Sequence, residues 1–207
     1  MKLLFDFGGV IVDLKKEAAI AAFDALGFDI RPYLGTFKQG GVFALLENGD
    51  ISVEDFCDEL RKAADNADLT IEAIIKAWEA YLVGIPAERL ELLLKIRKNY
   101  PTYVLSNTNP IHWEQGVRDF FSWEGHRVED YFDHCFLSCE MHLQKPDPEI
   151  FHAVAEGIGG APEEILFLDD SEENCEAARR CGLQARIAPA GGVWQSYFDE
   201  NGFLLES

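Results

Sequence analysis

Positive charge is scarce in this sequence: 18 Lys and Arg stand against 37 Asp and Glu in 207 residues, a formal net charge of −19. A field of that sign repels phosphate backbones and anionic lipid surfaces, so nucleic acid and membrane are not expected as partners. Long apolar runs are also missing. No stretch reaches the roughly 20 residues of a membrane span. The opening MKLLFDFGGVIVDL is broken at Asp6, unlike a signal peptide, so the expected compartment is the cytoplasm. Cysteine is sparse and odd in number: five residues, at 57, 135, 139, 175 and 181, predict packed thiols in a reduced protein. Repeats, low-complexity tracts and heptads are absent, and no pattern singles out an oligomeric state.

What is present is an ordinary globular composition, 48% hydrophobic and 27% charged, about one domain's worth of chain with room for a small inserted lobe. Apolar runs predict strands at 2–6 (KLLFD), 102–107 (TYVLSN), 134–138 (HCFLS), 164–170 (EILFLDD) and about 185–189 (ARIAP). Between them, helical spacing predicts helices after Pro86, after Asp147-Pro148 and over SEENCEAARRCG. Strands alternating with helices mean an α/β protein with a doubly wound parallel sheet. Residues from about 15 to 85 read as helices only, with N-terminal signals at Ser52/Asp55 and Thr70. The aromatic-rich stretch 111–131 shows no clean period beyond one helical turn and reads as an irregular insertion near the site.

In doubly wound sheets ligands bind beyond the carboxyl ends of the strands. The polar residues at those ends are Asp6, Ser106 with Asn107, and Asp169 with Asp170, joined by Lys145 from a loop. Carboxylates gathered at one edge repel each other unless a cation sits between them, and hard oxygen donors suit Mg²⁺. An acidic protein with an anionic small substrate needs such a cation in any case. Asp6 and Asp170 are the expected ligands. A carboxylate can also attack phosphorus, which makes Asp6 the candidate nucleophile and Lys145 the fixed cation beside the phosphoryl oxygens. Ser106 and the amides of its turn are candidate phosphate donors, with Asn107 shaping the loop or touching substrate. Asp169 and Asn174 are expected to support the metal ligands.

Four segments in order, FDFGGVIVD, VLSNTN, QKPDPEIF and FLDDSEEN, resemble the four motifs of the haloacid dehalogenase-like hydrolases and span Asp6 to Asn174. The resemblance implies a Rossmann-like core, residues 1–14 and 86–207, with a helical cap inserted at 15–85. It also implies Mg²⁺-dependent phosphatase chemistry on a small phosphorylated metabolite. The wording GGVIVD and LSNTN is similar to the sugar-phosphatase branch that includes glucose-1-phosphate phosphatases. Most phosphatases of the family carry an aspartate two residues after the nucleophile as general acid/base; here that position is Gly8, whose carbonyl can face Mg²⁺ but whose side chain moves no proton. A preference for good leaving groups, such as anomeric or acyl phosphates, is therefore expected, with Asp13 a weak substitute acid. Two other readings follow from Gly8: a 2-haloacid dehalogenase, or a non-catalytic binder of phosphorylated ligands.

Three further groups enter as expectations. The His134, Cys135, Cys139 and His142 set has zinc-ligand residue types, although neighbouring strand residues face opposite ways. Trp113, Phe120, Phe121 and Trp123 are candidates to line a substrate pocket. Phe37, Lys38, Gln39 and the Gly40-Gly41 turn are candidate cap contacts to substrate.

Overall fold

The computed structural model describes residues 1–35, 39–64, 66 and 68–205; Phe37 and Lys38 lie outside them. Its strands are β1 (Lys2–Phe5), β2 (Asp13–Leu14), β3 (Leu82–Gly84), β4 (Thr102–Ser106), β5 (His134–Leu137), β6 (Ile165–Asp169) and β7 (Gln184–Ile187). Its helices are α1 (Lys16–Ala25), α2 (Gly41–Glu47), α3 (Val53–Ala63), α4 (Ile71–Glu79), α5 (Ala87–Asn99), α6 (Pro110–Gln115), α7 (Val128–Tyr131), α8 (Ser138–Met141), α9 (Pro148–Ile158) and α10 (Glu172–Arg180).

β1 is too apolar to be an edge strand, and it pairs on both sides. The sheet runs β5-β4-β1-β6-β7, parallel throughout, with Phe5 of β1 opposite Val104 and Leu168. Period-two alternation sends side chains to two separate cores. Leu3, Phe5, Val104, Leu166 and Leu168 pack with Leu90, Leu93 and Ile96 of α5 and with Trp194 and Phe198. Leu4, Leu105, Ile165 and Phe167 pack on the other face with Ile150, Phe151 and Val154 of α9 and Ala177 and Ala178 of α10. Helices on both faces make this the α/β, doubly wound architecture that the sequence predicts.

α1 to α4 enclose a core of their own around Phe23, Phe43, Phe56 and Trp78, joined by Ile111 from α6. The expected helix starts form as local chemistry requires. Ser52 Oγ accepts from the Asp55 amide at 3.0 Å and the Asp55 carboxylate accepts from the Ser52 amide at 3.3 Å, while Thr70 Oγ1 accepts from the Ala73 amide at 3.1 Å.

Two expectations are corrected. The stretch 15–85 does contain a strand: β3 pairs antiparallel with β2, Asp13 opposite Gly84 and Leu14 opposite Leu82, closing the base of the inserted segment. Strands of two and three residues are too short to show alternation. The stretch 111–131 is not irregular but helical. Asn109 caps α6, accepting from the His112 amide at 3.1 Å with Pro110 at the first helical position; the backbone then widens into a π-turn at Gly116–Phe120, tightens at Trp123–Gly125 and ends in α7. Changes of pitch within twenty residues smear any single period. Among the described residues no helix is long and apolar enough to cross a membrane, and all five cysteines are free thiols.

Candidate active site

Each carboxylate at the sheet's carboxyl edge is delivered by the end of a central strand. Asp6 directly follows β1, and its amide extends the ladder by donating to the Leu168 carbonyl at 2.8 Å. Asp169 is the last residue of β6, Asp170 the next, and Ser106 closes β4. Lys145 arrives from the loop between α8 and α9. Asn107 holds that loop from below: its Nδ2 donates to the Lys145 carbonyl and its Oδ1 accepts from the Lys145 amide, both at 2.9 Å. The structure thus makes Asn107 the residue that positions the lysine.

Lys145 is 3% exposed, and its ammonium ties the site together. Nζ donates to Asp6 Oδ1 at 2.8 Å, to Asp169 Oδ2 at 2.7 Å and to the Leu105 carbonyl at 3.1 Å. Burial alone would favour its neutral form, but Asp169 and Asp6 outweigh that and raise its pKa, so it stays charged. Asp169, fully buried, has both oxygens engaged: Oδ2 by Lys145, and Oδ1 by the Ser171 amide at 2.8 Å and Asn174 Nδ2 at 3.0 Å. It is not among the residues lining the pocket, whereas Asp6 and Asp170 are.

Three carboxylates and one lysine leave a surplus of negative charge. Burial lifts the Asp6 carboxyl well above the ordinary range, overcoming the pull of Lys145, and Asp169 and Asp170 push the same way. Burial, then the charge of Asp169, raises Asp170 to about 6. Ligand oxygens of Asp6, Asp169 and Asp170 lie within 4.8 Å of one another, and this is the one such group among the described residues. A hard divalent cation fits an all-oxygen set in which burial first, and neighbouring charge second, hold Asp6 and Asp170 against ionisation. Gly9 keeps the approach open: at φ 80°, a Cβ there would run into the Asp170 carboxylate.

Gly8, Ser106, Asn107, Lys145 and Asn174 join Asp6 and Asp170 around one pocket. Of the amides in the Ser106 turn, that of Thr108 is already committed, donating to Ser138 Oγ at 2.9 Å. The far wall consists of Leu14, Gln39, Glu47, Tyr81, Leu82 and His112. Of these, the sequence singled out only Gln39. His112 carried one overlooked signal, the Asn109-Pro110 helix start that places it on α6. Glu47 and Tyr81 carried none, because neither the side of α2 that meets the core nor the position of the turn after α4 is a local property.

Other expected residues are elsewhere. Asp13 is paired with Arg89 Nη1 at 2.8 Å and takes no part in the pocket. Phe121 is fully buried, and Trp113 packs edge-on against Phe7 at 5.4 Å, so these rings brace the loop carrying Asp6 and do not line the pocket. Phe120 and Trp123 pack against the same core. His142 and Cys139 dock the inserted segment: His142 Nδ1 meets the Asn48 carbonyl at 3.0 Å, and Gly49 packs directly on the Cys139 carbonyl. His134 and Cys135 lie on edge strand β5.

Fold and site together define a class, an α/β protein that presents a buried acid–lysine cluster and a cation-binding carboxylate set at the carboxyl edge of a parallel sheet. The chain belongs to the haloacid dehalogenase-like hydrolases, whose family model matches residues 3–182. It is 34% identical over 194 residues to the D-ribitol-5-phosphate phosphatase of Bacteroides thetaiotaomicron, covering 93% of this chain and 94% of the relative. A haloacid dehalogenase family enzyme of the same organism, solved with magnesium and inorganic phosphate, superposes with a TM-score of 0.89 at 40% identity, covering 96% of this chain and 98% of that one. A family hydrolase of Porphyromonas gingivalis gives a TM-score of 0.85 at 33% identity, with 93% of each chain covered.

Proposed function

We propose that the chain is a Mg²⁺-dependent phosphatase of small sugar or alditol phosphates that works through an aspartyl-phosphate on Asp6. The observation that carries it is the Lys145 bridge between Asp6 and Asp169, 2.8 and 2.7 Å long, beside Asp170. A carboxylate and an ammonium held in contact at a strand end are a nucleophile and a charge clamp for a phosphoryl group. The named activity of the D-ribitol-5-phosphate phosphatase, together with the magnesium and phosphate bound by the structural relative, supports the same chemistry.

In this reading Asp6, Asp170 and the Gly8 carbonyl hold the metal, with Asp169 and Asn174 fixing their neighbours. When bound, Mg²⁺ neutralises phosphoryl oxygens as a Lewis acid. Asp6 attacks phosphorus with its free oxygen while Lys145 keeps the other in place. Ser106 Oγ donates to a phosphoryl oxygen, and Asn107 keeps Lys145 within reach. Attack on carbon, as in a dehalogenase, finds no use for Asp170, whose charge would repel a carboxylate substrate. The division into a catalytic core, 1–14 and 86–207, and a cap, 15–85, belongs to the same proposal, as does a cytoplasmic location with reduced thiols.

Phosphate release from a panel of aryl, acyl, anomeric and alkyl phosphates, with Mg²⁺ or with chelator, tests the reading. Release that needs both Mg²⁺ and Asp6, lost in Asp6→Asn, is expected. Release that survives either removal refutes it.

A further inference from the structure

Cleaving an alditol phosphate expels an alkoxide, which needs a proton as its P–O bond breaks. Gly8, two residues after Asp6, has no side chain to provide one. In an in-line displacement the leaving oxygen departs on the side of phosphorus opposite the nucleophile. Gln39, Glu47, Tyr81 and Leu82 of the inserted segment share the pocket with Asp6.

The acidic protons on the far wall of that pocket are few. His112 has both ring nitrogens engaged, Nε2 with the Trp78 carbonyl at 3.0 Å and Nδ1 with Asn109 Nδ2 at 3.2 Å. Tyr81 is a phenol made weaker still by burial. Glu47 is the carboxyl group among them, 7% exposed and facing the same pocket as Asp6.

Its placement is built, not incidental. Glu47 is the last residue of α2. Ser138 Oγ donates to its carbonyl at 2.6 Å, and the next two residues are held by His142 and by the close approach of Gly49 to Cys139. This end of α2 is therefore anchored to α8 of the sheet domain, which fixes Glu47 relative to the strand ends.

We propose that Glu47 is the acid–base residue of the reaction. Protonated, it gives its proton to the leaving-group oxygen while the Asp6 Oδ–P bond forms and the ester P–O bond breaks. As the carboxylate, it then takes a proton from the water whose oxygen attacks phosphorus, the Asp6 Oδ–P bond breaks, and phosphate leaves. The inference rests on the phosphatase reading above. It also replaces the expectation, drawn from Gly8 alone, of a preference for good leaving groups.

The test is single-turnover release of alcohol, with Mg²⁺ and excess enzyme, from ribitol 5-phosphate and from p-nitrophenyl phosphate. In Glu47→Gln, alkyl release is expected to fall by roughly 10²–10⁴ while nitrophenol release falls less than about tenfold, because nitrophenolate leaves without a proton. Glu47→Asp recovers part of the alkyl rate. An equal loss on both substrates, or a raised KM with kcat kept, overturns the proposal. Should Glu47→Gln fail to fold, wild-type single-turnover rates over aryl and alkyl phosphates of graded leaving-group pKa decide. A proton delivered to the leaving oxygen keeps these rates within about tenfold of one another, whereas a fall of roughly 10²–10⁴ from nitrophenyl to ribitol phosphate shows that the wild type supplies none and overturns the proposal. Wild-type enzyme that releases phosphate from neither substrate, or an Asp6→Asn variant as active as wild type, removes the phosphatase reading itself and this inference with it.

Discussion

Acid is expected to unfold this protein in part through one buried histidine. His112 joins α6 to the end of α4: its ring lies 4.5 Å from that of Trp78 and 5.6 Å from that of Tyr81. Asn109 Oδ1 accepts from the His112 amide, so Asn109 Nδ2 faces the ring and donates to Nδ1, leaving Nε2–H to donate to the Trp78 carbonyl. That arrangement needs a neutral imidazole. Burial holds its pKa down to about 4, against a small upward pull from the Trp78 carbonyl and an ordinary value of 6.5 in the unfolded chain. Above pH 6.5 the ring is neutral in both states and its contribution is complete. As pH falls from 6.5 toward 4, the unfolded chain takes up a proton that the folded one refuses, and stability drops by about 1.4 kcal/mol per pH unit. Over that window the loss is about 3 kcal/mol, a large part of the roughly 5–15 kcal/mol that holds a typical domain folded. Urea unfolding of wild type and His112→Gln at pH 7 and pH 4 isolates this contribution, because carboxylates shared by both proteins cancel. Wild type is expected to lose about 3 kcal/mol more than the variant between the two pH values. Equal losses would refute the neutral-imidazole argument.

Two further outcomes follow from the acid–lysine cluster. Lys145→Met strands Asp6 and Asp169 without their common cation and is expected to cost about 3–5 kcal/mol in thermal or urea unfolding near pH 7; added Mg²⁺ returns part of it, and an unchanged melting curve in chelator would contradict the bridge. Gly9→Ala forces a positive φ on a residue with a Cβ and pushes on Asp170, so calorimetric Mg²⁺ titration should show weakened binding and urea unfolding a loss of about 1–3 kcal/mol. Unaltered Mg²⁺ affinity would mean that Asp170 is not a ligand.

Much of the core was legible because its signals are local. KLLFD, TYVLS and ILFLD are short apolar runs that end in Asp6, Ser106 and Asp169, and a parallel sheet gathers strand ends at one edge whatever lies between them. That is why Asp6 and Asp170, more than 160 positions apart, can be assigned to one site from the sequence. Lys145 and Asn107 were legible as part of a recurrent wording, but not their mutual hydrogen bonds, which depend on two loops meeting. Where the reading failed, the deciding interaction was long-range or the local signal was mixed. β2 and β3 are strands only because each is the other's partner. Trp113 and Phe121 looked like pocket residues because aromatics suit both a pocket and a core, and only the position of Phe7 settled which. Glu47, Tyr81 and His112 were missed as site residues for a related reason.

Sequence alone determined the element types of the sheet domain, the strand-end carboxylates and the affinity for a cation that their charge implies. Hydrophobic period and the chemistry of helix and strand ends act over a few residues, so they can be read one segment at a time. Tertiary structure decided which face of α2 closes over the strand ends, hence that Glu47 and Tyr81 join Asp6 around one pocket. A helix of seven residues with apolar groups on more than one side has several ways to pack, and Ser138, His142 and Cys139, about ninety residues away in the chain, select one of them.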